Sequence, residues 1–133
     1  MAKYIEKQDI KKIIESERKI GKKIVLACGS FDVLTVFDIR YLRAAKKSGD
    51  ILIVAVYSDD LIKQKFGEKR SITSFEDRIE ILKGMEMVDY ILCASDDKVN
   101  DILSELKPDS IIPERADGYD VVQAVLAKFK NIK

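Results

Sequence analysis

The sequence predicts an α/β fold: a Rossmann-like parallel sheet with helices on both faces. Two observations carry that expectation. Four strand-like runs recur, "KKIVLAC" (22–28), "DILIVAVYS" (50–58), "VDYILCA" (88–94) and "DSIIP" (109–113). The first two are apolar without strict alternation, as strands covered on both faces require. Segments of helical character separate these runs, and strictly alternating strands and helices imply parallel pairing through crossover helices. The length of 133 residues suits one domain with a single core.

Taken in order, residues 8–19 place Ile10, Ile13 and Ile14 on one helical stripe. Residues 38–49 read as a helix closed by Gly49. Residues 59–67 form a short helix with an acidic first turn, Asp59 and Asp60, and a terminal Gly67; 68–73 is a loop. Residues 74–85 form a helix with Ser74 as N-cap and Asp77 three residues on. A helix over 96–108 stops near Pro108, and a last helix covers 117–132. The expected organisation is one domain over 1–133, with 1–20 as an N-terminal helical extension. Ligands in such sheets bind at the carboxyl ends of strands, which points to Cys28-Gly29-Ser30 and Ser58-Asp59.

Composition narrows the function. With 24 basic and 23 acidic residues, the net charge of +1 gives no electrostatic reason to expect nucleic acid or an anionic membrane as partner. No apolar run approaches the roughly 20 residues of a membrane span, and the first residues lack a signal peptide's apolar centre. Cys28 and Cys93 lie in apolar runs and read as buried free thiols of a cytoplasmic protein. The sequence has no histidine, which excludes histidine acid–base chemistry, histidine-dependent triads and histidine metal sites; no metal ligand set is assigned.

The stretch "CGSFDVLTVFDIRYLRAAKKSGDILIVAVYSDDLIKQK" resembles the nucleotidyltransferase superfamily of glycerol-3-phosphate cytidylyltransferases, bacterial heptose-phosphate adenylyltransferases and archaeal FAD synthetases. The family's entry motif is G-x-F-D-x-x-H-x-G-H, matched here by Gly29, Phe31 and Asp32. "RSITSFEDRIEILKGMEMVDYIL" is similar to its arginine segment, and the likeness spans roughly residues 22–112. The resemblance implies transfer of a nucleotidyl group from CTP or ATP to a phosphorylated small molecule, Mg²⁺ as cofactor if the chain is active, and a homodimer. It implies nucleotide-binding roles for Gly29, Ser30, Phe31, Asp32, Lys65, Arg115 and Gly118, and family matches at Arg70 and Arg78.

The departures fall on the chemistry. Thr35 and Asp38 stand where the motif histidines would be, Phe37 where its glycine would be, and Ser71 where a proline follows Arg70. In the last helix Asp120, Val121 and Val122 replace hydroxyl residues. Two unit negative charges about 4 Å apart repel by about 4 kcal/mol at an effective dielectric near 20, roughly a thousandfold in binding or rate; losing a phosphate donor costs on the order of a further 10²–10³. Phe37 fills space that a backbone-to-ligand approach needs.

"TVFD" also spells a capping box, with Thr35 as N-cap and Asp38 three residues on, and Asp120 has the chemistry to cap the last helix. Two anion sites thus read as closed by internal carboxylates, giving a nucleotidyltransferase-like scaffold with impaired or absent catalysis. The alternative is an active Mg²⁺-dependent enzyme using Asp32, Asp38, Lys65 and Arg115; a third reading is a chain left with no ligand. Elsewhere the structural roles are favoured: Asp32 bracing the turn, Asp59 and Asp60 capping a helix, Arg78 in a surface salt bridge, and Tyr41, Phe75 and Tyr90 in core or subunit contacts.

Overall fold

A computed structural model describes residues 1–95 and 105–112. The chain forms β1 (Lys3–Tyr4), α1 (Lys7–Lys19), β2 (Ile24–Gly29), α2 (Val36–Lys47), β3 (Ile51–Tyr57), α3 (Asp59–Phe66), α4 (Phe75–Lys83), β4 (Tyr90–Ala94) and β5 (Ser110–Ile112). The helix expected over 117–132 and most of that over 96–108 lie outside the described residues.

All strand pairs are parallel, in the order β1-β4-β3-β2-β5. The unbroken apolar runs explain the centre of the sheet. Every residue of β3 is buried, and alternate residues feed opposite layers. On one face Val25, Ala27, Val54, Val56 and Ile91 meet Leu42 and Ala45 of α2 and Ile79 and Leu82 of α4. On the other, Leu26, Ile53, Ala55 and Leu92 meet Ile10 and Ile14 of α1 and Leu61 and Ile62 of α3. Each fully buried Leu or Ile stabilises by about 1.5–3 kcal/mol, so the two layers hold the sheet from both sides.

Two local readings change. The N-terminal segment is more than a helical extension, because Lys3–Tyr4 adds a strand to the sheet edge beside Tyr90 and Ile91. Gly49 is not the residue that closes α2: Ser48 is the C-cap. A Cβ at Gly49 would stand 2.6 Å from Val25 Cγ2 and 3.1 Å from the Lys23 carbonyl, so glycine here permits close passage into β3 rather than a left-handed cap.

Candidate active site

β2 is the strand at which the order of the sheet reverses. From it the chain moves to β3 and β4 on one side, whereas β5 docks on the other. In open α/β sheets such a reversal is where a crevice forms and ligands bind, here at the carboxyl ends of β2 and β5. The Tyr41 hydroxyl of α2 donates to the Ile112 carbonyl at 3.0 Å, tying α2 to the end of β5.

Gly29 closes β2, paired with Val56. A Cβ there would stand 3.1 Å from the Phe31 ring, so the chain's own aromatic side chain occupies the space beside the glycine. Phe31 is buried in the α2–α4 layer and holds φ 51°, an unusual backbone for a bulky residue. The turn that follows is braced by Asp32, which is buried. Its carboxylate accepts from the Ile72 amide at 3.0 Å, the Thr73 amide at 2.9 Å and the Thr73 hydroxyl at 3.1 Å. That is the bracing role expected from the sequence.

The capping box at the start of α2 is complete. Thr35 has an extended backbone as N-cap, and both reciprocal halves of the motif are present. Asp38 Oδ2 accepts the Thr35 amide at 2.8 Å and the Thr35 hydroxyl at 3.1 Å, while Thr35 Oγ1 accepts the Phe37 amide at 3.3 Å. Orphan amides and the positive end of the helix dipole are thereby served internally. Phe37 is about half exposed at 52%, with the Arg40 guanidinium 5.9 Å from its ring centroid; the ring stands at the first turn of α2 outside the core.

The arginines differ from expectation. Arg78 is fully buried, not a surface residue. Its Nη1 donates to the Ser30 carbonyl at 2.6 Å and the Tyr57 carbonyl at 2.7 Å, and Nη2 to the Asp59 carboxylate. A planar fork of donors reaches three acceptors at once. Asp59 also departs from its expected capping role: Ser58 caps α3, and the Asp59 carboxylate turns to Arg78, the Ser71 hydroxyl and the Phe75 amide. Burial pushes the Asp59 carboxyl up, but hydrogen bonds from Ser71, Arg78 and Phe75, with the Arg78 charge, outweigh it and hold the group below its ordinary range. The Cys93 thiol is pushed up by burial, against the nearby Arg78 charge.

Arg70 is buried beside the Phe66 ring, with Nε 3.9 Å from Asp32. Lys65 lies over the Tyr57 ring at 4.9 Å, which places it near the end of β3. The structure therefore places Gly29, Ser30, Phe31 and Asp32 at the end of β2 with Arg70 next to Asp32, Thr35 and Asp38 at the start of α2, and Lys65 and Arg78 beside Tyr57 at the end of β3. Arg115, Gly118 and Asp120 lie outside the described residues. Sequence reasoning missed the Ser71–Asp59–Arg78 chain and the role of Thr73; the only local signal was Ser71 in place of the proline.

A parallel sheet reversing at β2, with helices on both faces, defines the doubly wound class of α/β domains. Within that class the chain belongs to the cytidylyltransferase-like family, whose model matches residues 26–130. It is 35% identical over 127 residues to the bifunctional protein HldE of Wolinella succinogenes, covering 95% of this chain and 27% of that protein. It is 38% identical over 104 residues to the bifunctional protein HldE of Haemophilus influenzae (strain PittGG), covering 78% of this chain and 22% of that protein. The chain thus spans about a quarter of the length of these relatives. The crystal structure of the lipopolysaccharide core biosynthesis protein from Thermoplasma volcanium GSS1 matches with a TM-score of 0.67 and 28% identity, covering 83% of this chain and 90% of that one.

Proposed function

We propose that this chain is a cytidylyltransferase-like nucleotidyltransferase-fold protein whose transfer chemistry is impaired or lost, and that it serves as a binding or scaffolding protein. The observation that carries this reading is the completed Thr35–Asp38 capping box at the mouth of α2. A triphosphate approaching this mouth meets a carboxylate already bound to the Thr35 amide, so binding requires breaking the cap and overcoming like-charge repulsion. Asp38 Oδ2 is committed to the Thr35 amide and hydroxyl, and among the described residues no three candidate ligands are grouped to hold a metal ion; Asp38 is therefore the residue that would hold a Mg²⁺ carried in with a triphosphate, and the ion would offset part of the repulsion.

The second reading, an active Mg²⁺-dependent transferase using CTP or ATP, draws support from the frame beneath the mouth, where Asp32 and Arg78 fix the strand ends. Calorimetric titration with CTP and ATP, and a pyrophosphate-release assay with Mg²⁺ and several phosphorylated alcohols, separate the two. The expected result is no micromolar binding and turnover below about 1 s⁻¹, the low end of ordinary enzymes; micromolar binding or faster turnover overturns the proposal. We place the protein in the cytoplasm because neither Cys28 nor Cys93 is joined in a disulfide. The expected assembly is a homodimer, which light scattering on the purified chain would test. No described helix is long and apolar enough to cross a membrane.

A further inference from the structure

The β2–β3 ladder ends at Gly29 and Val56. One residue beyond it, the carbonyls of Ser30 and Tyr57 are both taken by Arg78 Nη1. Arg78 thus continues the pairing of the two strands at the point where they separate. Its other terminal nitrogen holds Asp59, and Asp59 in turn accepts the Ser71 hydroxyl at 2.5 Å and the Phe75 amide at 3.3 Å. Asp32 takes the amides of Ile72 and Thr73, and the Thr73 hydroxyl donates to the Asp32 carbonyl at 2.7 Å. The segment Gly67–Ser74 therefore crosses the carboxyl ends of β2 and β3 on two carboxylate anchors. Apolar burial does not hold it down: Arg70 is its only buried residue, and Ile72 is 52% exposed. Ser71 adopts φ 70°, a left-handed backbone kept where the surroundings over-determine it; here its hydroxyl is bonded to Asp59 and to the Thr73 carbonyl.

We infer that Gly67–Ser74 is a strap latched over the ends of β2 and β3 by Asp32 and Asp59, with Arg78 as the positioning residue of the second latch, and that it opens as a unit while the sheet stays intact. Segments fastened by a few polar contacts open at lower free energy than strands packed on both faces. Opening would expose Asp32 and free the Ser30 end of the crevice, so the strap governs access to the strand ends. The inference goes beyond the functional reading and holds for a catalytic or a non-catalytic chain.

The test is amide hydrogen exchange on the full chain, followed by NMR, for the parent, D59N, S71A and R78K; no nucleotide enters it, so its failure leaves the functional proposal standing. In the parent, the amides of Ile72, Thr73 and Phe75 exchange faster than those of Val54 and Ala55 in β3. D59N and S71A each speed all three of these amides together and at least tenfold, with the β3 amides remaining the slower set. R78K keeps the charge but loses the fork, and gives the same pattern. Parent strap amides as protected as β3 would overturn the strap. A rise confined to Phe75 would overturn opening as a unit, and strap amides left unchanged in R78K would remove Arg78 as the positioning residue of the second latch.

Discussion

The carboxylate of Asp38 and the backbone of Thr35 close on each other at 2.8 Å across the first turn of α2. This contact stabilises the helix and, in the functional reading, blocks it as an anion site. Removing it therefore has two opposed consequences. D38A and T35A are each expected to cost about 1 kcal/mol, the usual value of an N-cap group, and their double variant less than the sum, because each deletes the same reciprocal pair. Urea denaturation of the four proteins measures this; additive losses would show that the two residues stabilise independently.

D38N keeps the size of the side chain and removes its charge. If like-charge repulsion is what excludes a triphosphate, D38N strengthens CTP or ATP binding by up to about a thousandfold relative to the parent, the equivalent of about 4 kcal/mol. Calorimetric titration at low ionic strength reads the difference, which should shrink as salt screens the charge. Equal, undetectable binding by both proteins would assign the closure to Phe37 and the lost donors instead.

The capping box was legible because it is local, a threonine and an aspartate three positions apart. The sheet was legible for a related reason: strands buried on both faces must be apolar at every position, and β3 is. What escaped was set by distance along the chain. Arg78 looks like a polar residue on an amphipathic helix, and only the meeting of Ser30 and Tyr57, 48 and 21 positions away, gives its guanidinium buried acceptors. Asp59 reads as a first-turn acid of α3 until the fold brings Ser71 and Phe75 beside it. β1 escaped because two residues, one of them a lysine, carry no periodic signal, and their pairing depends on the edge that β4 offers.

Arg78→Met removes the charge and every donor of the guanidinium. Three acceptors lose their partner, and the Asp59 carboxylate is left without its cation. Breaking a buried pair at one partner costs about 3–5 kcal/mol; the Asp59 side chain is 37% exposed, so water recovers part of the loss and a value near the lower end, about 3 kcal/mol, is expected. Thermal and urea unfolding check it. A loss below about 1 kcal/mol would mean that the buried fork is not a principal tie between the strand ends.

At Gly49 the limit is space. A Cβ placed 2.6 Å from Val25 Cγ2 and 3.1 Å from the Lys23 carbonyl has no room without moving β2, whose Val25 is fully buried. Gly49→Ala is expected to lose about 1–3 kcal/mol, as overpacked sites do, even though alanine normally stabilises relative to glycine by restricting the unfolded chain. Gly21, where nothing lies within 4 Å of an added Cβ but φ is +82°, provides the contrast: a Gly21→Ala loss there would come from backbone strain alone. Urea midpoints for the two variants separate crowding from strain.

The acid limb of stability follows from Asp59. Its carboxyl in the folded chain titrates below its ordinary value, because burial is outweighed by the hydrogen bonds of Ser71, Arg78 and Phe75 and by the Arg78 charge. The unfolded chain therefore binds the proton first as pH falls, and between the two values the unfolded state carries more protons than the folded one. Stability rises with pH in that window. The contribution is fully present above the ordinary carboxylate value, near 4, and is lost as pH falls through the depressed one. Because the group is part-exposed, the effect is screened by water and salt. Asp59→Asn removes the titration, so its unfolding free energy should be lower than the parent's at neutral pH and fall less steeply below pH 4. Parallel curves for the two proteins from pH 2 to 7 would show that the Asp59–Arg78–Ser71 contacts do not couple to folding.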